Sequence, residues 1–129
     1  MRYLGIDYGT KRVGIAVSSE DGKIAFPHGV WPCDGQLGEQ IKKFCKEREI
    51  GAIVIGDSKD FNGKDNPIMD AVRALADDLE NGTGLPVFLE PEFLTSAEAS
   101  RAPGGSEKLD VASATIILQS YLDKENNKK

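Results

Sequence analysis

Short apolar runs and helical stripes alternate along the chain and predict the order β-β-β-α-β-α-β-α. Five apolar runs have the length of strands and are separated by polar or helical segments; they cover residues 3–6, 13–17, 24–31, 52–55 and 86–89. The run 52–55 is apolar without interruption, which is typical of a strand buried on both faces of a sheet, and we expect the same of 86–89. The pattern predicts an α/β fold in which a three-strand meander precedes parallel strands, giving a mixed five-stranded sheet flanked by helices.

Apolar residues recur at helical spacing in three longer segments. The first covers 35–49, and its apolar face consists of Leu37, Ile41, Phe44 and Cys45. The second begins at the cap residue Asn66, and we expect Gly82 to end it. The third covers about 107–123, and a capping box at 95–98 predicts a short helix before it.

The length and composition predict one globular domain. The 129 residues divide into a domain, 1–125, and a frayed tail, 126–129; 40% are hydrophobic and 29% are charged. No apolar run approaches the ~20 residues that a membrane-spanning helix needs, and the chain opens directly on a strand, so we expect no membrane segment, no signal peptide and a cytoplasmic location. Cys33 and Cys45 lack metal-ligand spacing and are interpreted as reduced thiols.

The charge balance limits how the chain can bind nucleic acid. Its formal net charge is −5, which counts against broad non-specific binding but leaves room for a local basic face. Lys11 and Arg12 lie in the first turn, and a second basic group occupies the first helix: Lys42, Lys43, Lys46 and Arg48. The alternative for the helical group is a solvated surface without a partner.

Carboxylates follow the strands that can run parallel. Asp7 ends the first strand, Asp57 ends the fourth, and Glu90 and Glu92 lie at the end of the fifth, while Asp110 begins the last helix. Sites in open sheets form outside the carboxyl ends of strands, where these acids would repel one another without a cation. Oxygen ligands of this kind suit Mg²⁺ or Mn²⁺. Asp57 as a solvated loop acid and Asp110 as a partner of the helix dipole are the alternatives.

The hairpin around Asp7 fits two chemistries. An acid at a strand tip beside Gly9 occurs in nucleases of the ribonuclease-H-like fold, and also in sugar kinases and actin-like ATPases, where the turn holds phosphate. The latter proteins close two such domains around the nucleotide, and 129 residues supply only one.

Three ordered motifs resemble the YqgF/RuvX family of ribonuclease-H-like proteins, described as Holliday junction resolvases and as nucleases that mature the 5′ end of pre-16S ribosomal RNA. The hairpin 7–14 is similar to the family's opening motif, 92–99 looks like its acidic Leu-Thr-Thr/Ser motif, and Asp110 with 113–122 looks like its closing helix. The resemblance spans nearly the whole chain.

The resemblance implies an acidic triad of Asp7, Glu92 and Asp110 that holds Mg²⁺ or Mn²⁺, and it suggests that Thr95 and Ser96 contact the site. The chain departs from the family pattern in three places. It has Phe93 where the family usually has Arg, and Asp57 follows the fourth strand where the family usually has a Gly-Leu-Pro segment. Its loop at 101–108 is weakly basic, whereas this loop is often strongly basic in the family. Asp57 is therefore a further candidate metal ligand, and Lys11 and Arg12 are candidates for phosphate contacts.

The expected function is metal-dependent phosphodiester hydrolysis on structured nucleic acid. The resemblance favours a ribosomal RNA precursor, with 5′-end maturation of pre-16S rRNA as the reaction, over branched DNA and Holliday junction resolution. A non-catalytic RNA-binding or assembly factor and an ATP-binding module of the kinase/actin type are the alternatives. The sequence leaves a monomer or a dimer open.

Overall fold

The computed structural model describes residues 1–9, 12–57, 68–91 and 106–127. Their elements follow the predicted order: β1 Arg2–Tyr8, β2 Arg12–Ser18, β3 Ala25–Pro32, α1 Leu37–Glu47, β4 Ile50–Asp57, α2 Ile68–Thr83, β5 Val87–Pro91 and α3 Ser106–Asn126. The predicted short helix at 95–98 and the cap at Asn66 lie outside the described residues. None of the described helices combines the length and apolar character that a membrane span requires.

The five strands form one mixed sheet with the order β3-β2-β1-β4-β5. The meander β1-β2-β3 is antiparallel, and β1, β4 and β5 are parallel neighbours. The predicted sheet is therefore confirmed, including the adjacency of the three strands whose ends carry acids. The carboxyl ends of β1, β4 and β5 lie at the same end of the sheet, because parallel neighbours run in the same direction.

Apolar layers cover both faces of this sheet. On one face α1 and α2 pack on Leu4, Ile15, Ile53 and their neighbours; on the other, α3 packs on a smaller cluster. The predicted stripe of α1 is buried, and so is the whole run 52–55 in β4. Alternation along β1 divides its side chains between the two faces, since successive residues of a strand point in opposite directions.

The edge strand β5 differs from the prediction. The apolar run 86–89 predicts burial on both faces, but β5 is an edge strand in which Phe88 is 37% and Leu89 40% exposed. An apolar run cannot distinguish a central strand from an edge, because that depends on which strands pair. Pro27 is accommodated in the opposite edge strand, β3, beside a register shift between Ile15 and Ala16.

Two helix ends also differ from the prediction. Gly82 lies within α2, which ends at Thr83; Gly84 follows with φ +74° and donates its N–H to the Glu80 carbonyl at 2.9 Å. Gly84 is thus the left-handed residue that closes this helix. The last helix, α3, runs to Asn126 rather than 123, and the Asn126 amide donates to the carbonyls of Leu122 and Gly22.

Candidate active site

Asp7 lies one residue before the end of β1, on the face of the sheet that α3 covers. Its neighbours Ile6 and Tyr8 belong to the cluster under α1 and α2, so the alternation of the strand turns Asp7 to the other face. Its backbone pairs with Gly14 of β2, and its side chain is half-buried. The predicted acid therefore sits inside the hairpin, with its carboxylate directed to the layer that contains the last helix.

The approach of α3 to β1 determines which part of the helix meets Asp7. A Cβ added at Gly5 would lie 2.7 Å from Leu118 Cβ and 3.2 Å from the Ala114 carbonyl, and the Tyr3 ring lies 5.7 Å from that of Tyr121. The helix thus runs antiparallel to β1. Moving along the strand from Gly5 to Asp7 corresponds to moving from Ala114 toward the first turns of α3.

Residue 110 is the fifth residue of α3 and lies one turn before Ala114. The backbone therefore brings the Asp110 position to the end of the helix that faces the Asp7 end of β1. The structure describes the backbone of Asp110 but not its side chain.

Gly9, the residue after β1, lies close to Arg12. A Cβ on Gly9 would lie 2.5 Å from the Arg12 carbonyl oxygen, so only glycine fits where the chain leaves β1. Arg12 begins β2, where its backbone pairs with Pro32, and its side chain is half-buried. The predicted phosphate-contact residue Arg12 is therefore at the same end of the sheet as Asp7, whereas Lys11 lies outside the described residues.

Tyr8 fixes the other side of this turn. Its hydroxyl is hydrogen-bonded to the Cys33 thiol, and this bond, followed by burial, raises the pKa of Tyr8 to about 12. Both residues pack against the core under α1, together with Trp31. The contact links the end of β1 to the residue that follows β3. It therefore fixes the end of the strand that carries Asp7 relative to β3, on the other side of β2. No sequence motif signalled this pair.

Glu90 has a structural role that sequence reasoning missed. Its side chain is 3% exposed, and its carboxylate accepts hydrogen bonds from the Lys124 ammonium, at 3.1 Å for Oε2, and from Ser120 Oγ at 3.3 Å. The acid is thus neutralised by α3 instead of standing open at the sheet edge. The spacing of Ser120 and Lys124, four residues apart on one helix face, was the available signal.

The remaining predicted site residues have side chains outside the described part of the chain. Asp57 closes β4, beside β1, and its backbone pairs with Pro91; its side chain is not among those described, and neither are Glu92, Thr95 and Ser96. Within the described residues no three His, Cys, Asp or Glu side chains come together as a metal site. The predicted triad therefore stays a prediction.

The basic group of α1 lies away from the end of the sheet that carries Asp7. The helix leads into the start of β4, and Ile50 there pairs with Arg2, five residues or about 17 Å of strand before Asp7. Lys42 contacts Asp78 at 3.0 Å and Glu39 at 3.3 Å, and its pKa is raised mainly by the bond to Asp78; Lys43 lies 3.9 Å from Glu47. Lys42 and Lys43 thus fit the solvated, ion-paired alternative.

Solved structures define the class of fold. The chain of RuvC from T. thermophilus in complex with Holliday junction substrate superimposes with a TM-score of 0.62 at 14% identity, covering 98% of this chain and 96% of that one. The Fowlpox virus resolvase, in complex with Holliday junction DNA, gives 0.61 at 8% identity, covering 97% and 99%. Together with the strand order, these likenesses establish the ribonuclease-H-like fold.

Sequence comparisons then identify the family. A family model described as "RuvX: Holliday junction resolvase" matches residues 1–124. A Thermoanaerobacter pseudethanolicus protein named "Putative pre-16S rRNA nuclease" is 33% identical over 141 residues, 99% of this chain and 100% of the relative. A Geobacillus protein of the same name is 37% identical over 135 residues, 95% and 98%.

The chain belongs to the RuvX family. The resemblance found in its three sequence motifs is confirmed, and so is the expected class, a nuclease, at the level of the family.

Proposed function

We propose that this protein is a metal-dependent phosphodiester hydrolase that matures the 5′ end of pre-16S ribosomal RNA in the cytoplasm. The observation that carries the proposal is the position of Asp7, half-buried on the face of β1 that packs against α3, beside the end of the helix that contains Asp110. The relatives at 33% and 37% identity are named for pre-16S rRNA, which favours RNA as the substrate.

The donor set suits a hard divalent cation. Asp7, Glu92 and Asp110 supply carboxylate oxygens, with Asp57 at the end of the adjacent strand as a further ligand. Such a cation, when bound, neutralises charge on the scissile phosphate and supports attack by water, leaving 5′-phosphate and 3′-hydroxyl ends. Lys11 and Arg12 hold the backbone phosphate, and Thr95 and Ser96 contact the substrate near the acids.

A Holliday junction resolvase is the second candidate. Both the family description and the ribonuclease-H-like structures bound to junctions favour it. Because those structures are only 14% and 8% identical to this chain, they establish the fold and leave the substrate to experiment. One protein preparation tested on both substrates distinguishes the two functions.

The deciding experiment measures cleavage of a pre-16S rRNA fragment and of a synthetic four-way DNA junction, each with Mg²⁺ or Mn²⁺ and with EDTA. We expect metal-dependent cleavage of the RNA, and loss of most activity in Asp7→Asn. The matched control is Asp77→Asn, which makes the same change at an exposed position of α2. Junction cleavage alone would assign the resolvase function, and no cleavage of either substrate would favour a non-catalytic RNA-binding factor.

Metal binding has an independent readout in thermal unfolding. A cation that binds only the native state raises the melting temperature by mass action. Mn²⁺ should therefore stabilise the wild type and Asp77→Asn, and should stabilise Asp7→Asn much less. An unchanged melting temperature at millimolar Mn²⁺ would count against a metal site.

A further inference from the structure

A polar groove lies between the edge strand β3 and the end of α1. It encloses about 330 Å³ and is lined by the side chains of Arg2, Ser19, Phe26, His28 and Arg48, among others. No Asp or Glu is among its described lining residues. Its cationic side chains are Arg48 and Arg2, of which Arg2 is paired with Glu20.

Phe26 supplies an open aromatic surface at this groove. It is 52% exposed although it pairs with Val17, which packs against the core under α1. Its ring therefore lies on the α1 face of the sheet, at the rim of the groove. An exposed phenyl ring beside cationic groups is the arrangement on which unpaired bases stack.

The cationic groups of the groove are held in place by the fold. Arg2 donates to the Arg48 carbonyl at 2.9 Å and lies 3.1 Å from Glu20, while the Arg48 guanidinium lies 5.4 Å from the centre of the Phe44 ring. The His28 ring also packs on Phe44, at 4.8 Å. Partial burial, with Arg48 adding to it, lowers the pKa of His28, so this ring is neutral near pH 7.

We propose that this groove binds an unpaired nucleotide of single-stranded RNA, with the base stacked on Phe26 and its phosphate held by Arg48. The inference rests on the proposed RNA nuclease function and adds a contact for single-stranded RNA on the face of the sheet opposite to Asp7. Aromatic and arginine side chains together recognise a base and its phosphate without sequence preference.

The distance to the candidate active site suits one continuous strand of RNA. Phe26 pairs with Val17, and Val17 pairs with Leu4, so Phe26 lies two strands, or about 10 Å, across the sheet from β1 and three residues, or about 10 Å, before Asp7 along it. Asp7 and Phe26 lie on opposite faces, and β3 is the edge between them. An RNA strand can therefore reach both by passing around this edge, while a rigid duplex would be confined to one face.

The test measures binding of a fluorescein-labelled oligouridylate by anisotropy, in EDTA so that no cleavage occurs. Phe26→Ala should weaken binding about 5- to 100-fold, because one stacking contact is lost. Ile24→Ala is the matched control: Ile24 is 54% exposed near the same edge but does not line the groove, and this variant should bind like wild type. Phe26→Trp should retain binding.

The contact between Arg48 and the RNA phosphate is tested separately, by the salt dependence of binding. Arg48→Gln should weaken binding and reduce the log–log salt slope by about one, since one phosphate contact is removed. Circular dichroism melting confirms that each variant is folded; the exposure of Phe26 and Arg48 favours this outcome. If Phe26→Ala and Arg48→Gln both bind RNA like wild type, the groove is not an RNA site.

Cleavage assays separate this proposal from the proposed function. If Phe26→Ala weakens oligouridylate binding but wild type cleaves neither substrate, the groove stands and the nuclease function fails. If Asp7→Asn abolishes cleavage while Phe26→Ala binds and cleaves single-strand-flanked RNA normally, the nuclease stands and the groove proposal is overturned. A change in sedimentation of Phe26→Ala without a change in RNA binding also overturns it and assigns the groove to a protein contact.

Discussion

Gly5 of the central strand lies so close to Leu118 of the last helix that no side chain fits between them. A Cβ at Gly5 would lie 2.7 Å from Leu118 Cβ, closer than side-chain carbons pack, and 3.2 Å from the carbonyl of Ala114. Both obstructing groups belong to the relatively rigid part of the helix, so the helix itself would have to move. Since β1 carries Asp7 and α3 carries Asp110, this contact sets the separation of two predicted catalytic acids.

Gly5→Ala should therefore impair activity as well as stability. Overpacking of this kind costs about 1–3 kcal/mol of unfolding free energy, and the shift of α3 should lower cleavage and the stabilisation by Mn²⁺. The control is Gly29→Ala in β3, where a Cβ meets no atom within 4 Å. Denaturant unfolding and cleavage rates would be measured for both variants. Equal activity in the two would show that the spacing of β1 and α3 is not critical.

The ion pair between the buried Glu90 and the partly exposed Lys124 should stabilise the fold. Lys124→Met leaves the Glu90 carboxylate, whose side chain is 3% exposed, with the Ser120 hydroxyl as its remaining hydrogen-bond partner in the described part of the chain, and we expect a loss of about 1–3 kcal/mol. Lys43→Met removes an exposed pair of 3.9 Å on α1 and should cost less than about 0.5 kcal/mol.

A double-mutant cycle measures the coupling of that buried pair directly. Adding Glu90→Gln to Lys124→Met removes the unpaired charge and should recover part of the lost stability. Strictly additive losses would mean that the two side chains do not interact.

Cys45 should make stability fall at alkaline pH. Burial raises its pKa from 9.0 to about 11. Because the unfolded state loses the thiol proton at lower pH than the native state, the contribution is complete below about pH 9 and is lost as the pH rises toward about 11. Cys45→Val keeps an apolar side chain there and should lose less stability over this range, measured by urea unfolding. Parallel curves for wild type and variant would contradict the assignment.

Asp57 and Glu92 should contribute unequally to cleavage. Glu92 belongs to a motif that resembles the family's, while Asp57 stands where the family usually has no acid. We therefore expect Glu92→Gln to abolish cleavage and Asp57→Asn only to reduce it, as measured by single-turnover rates on the RNA substrate. An active Glu92→Gln together with an inactive Asp57→Asn would reverse their roles.

Local patterns in the sequence determined the elements and the family. The uninterrupted apolar run 52–55 predicted a strand buried on both faces, and the structure confirms it; the run 86–89, which lies in an edge strand, shows that such a run alone does not locate a strand within the sheet. The apolar stripe of α1 was enough to predict a helix buried on one face. Three motifs in the right order were enough to predict membership of the RuvX family. Asp7 could be singled out because a charged residue inside an apolar hairpin has few structural explanations.

Tertiary structure decided the features that depend on contacts between distant segments. Phe88 is exposed since β5 lies at the edge of the sheet that the described strands form, and Glu90 is an ion-pair partner because Lys124 reaches it from 34 residues away. Likewise, the sequence showed a glycine at position 5 but not the helix that lies against it. The periodicity of apolar residues shows which face of a helix or strand is buried, but it does not show which other segment packs against that face. Whether an acid belongs to a functional site or to a structural ion pair depends on that second segment.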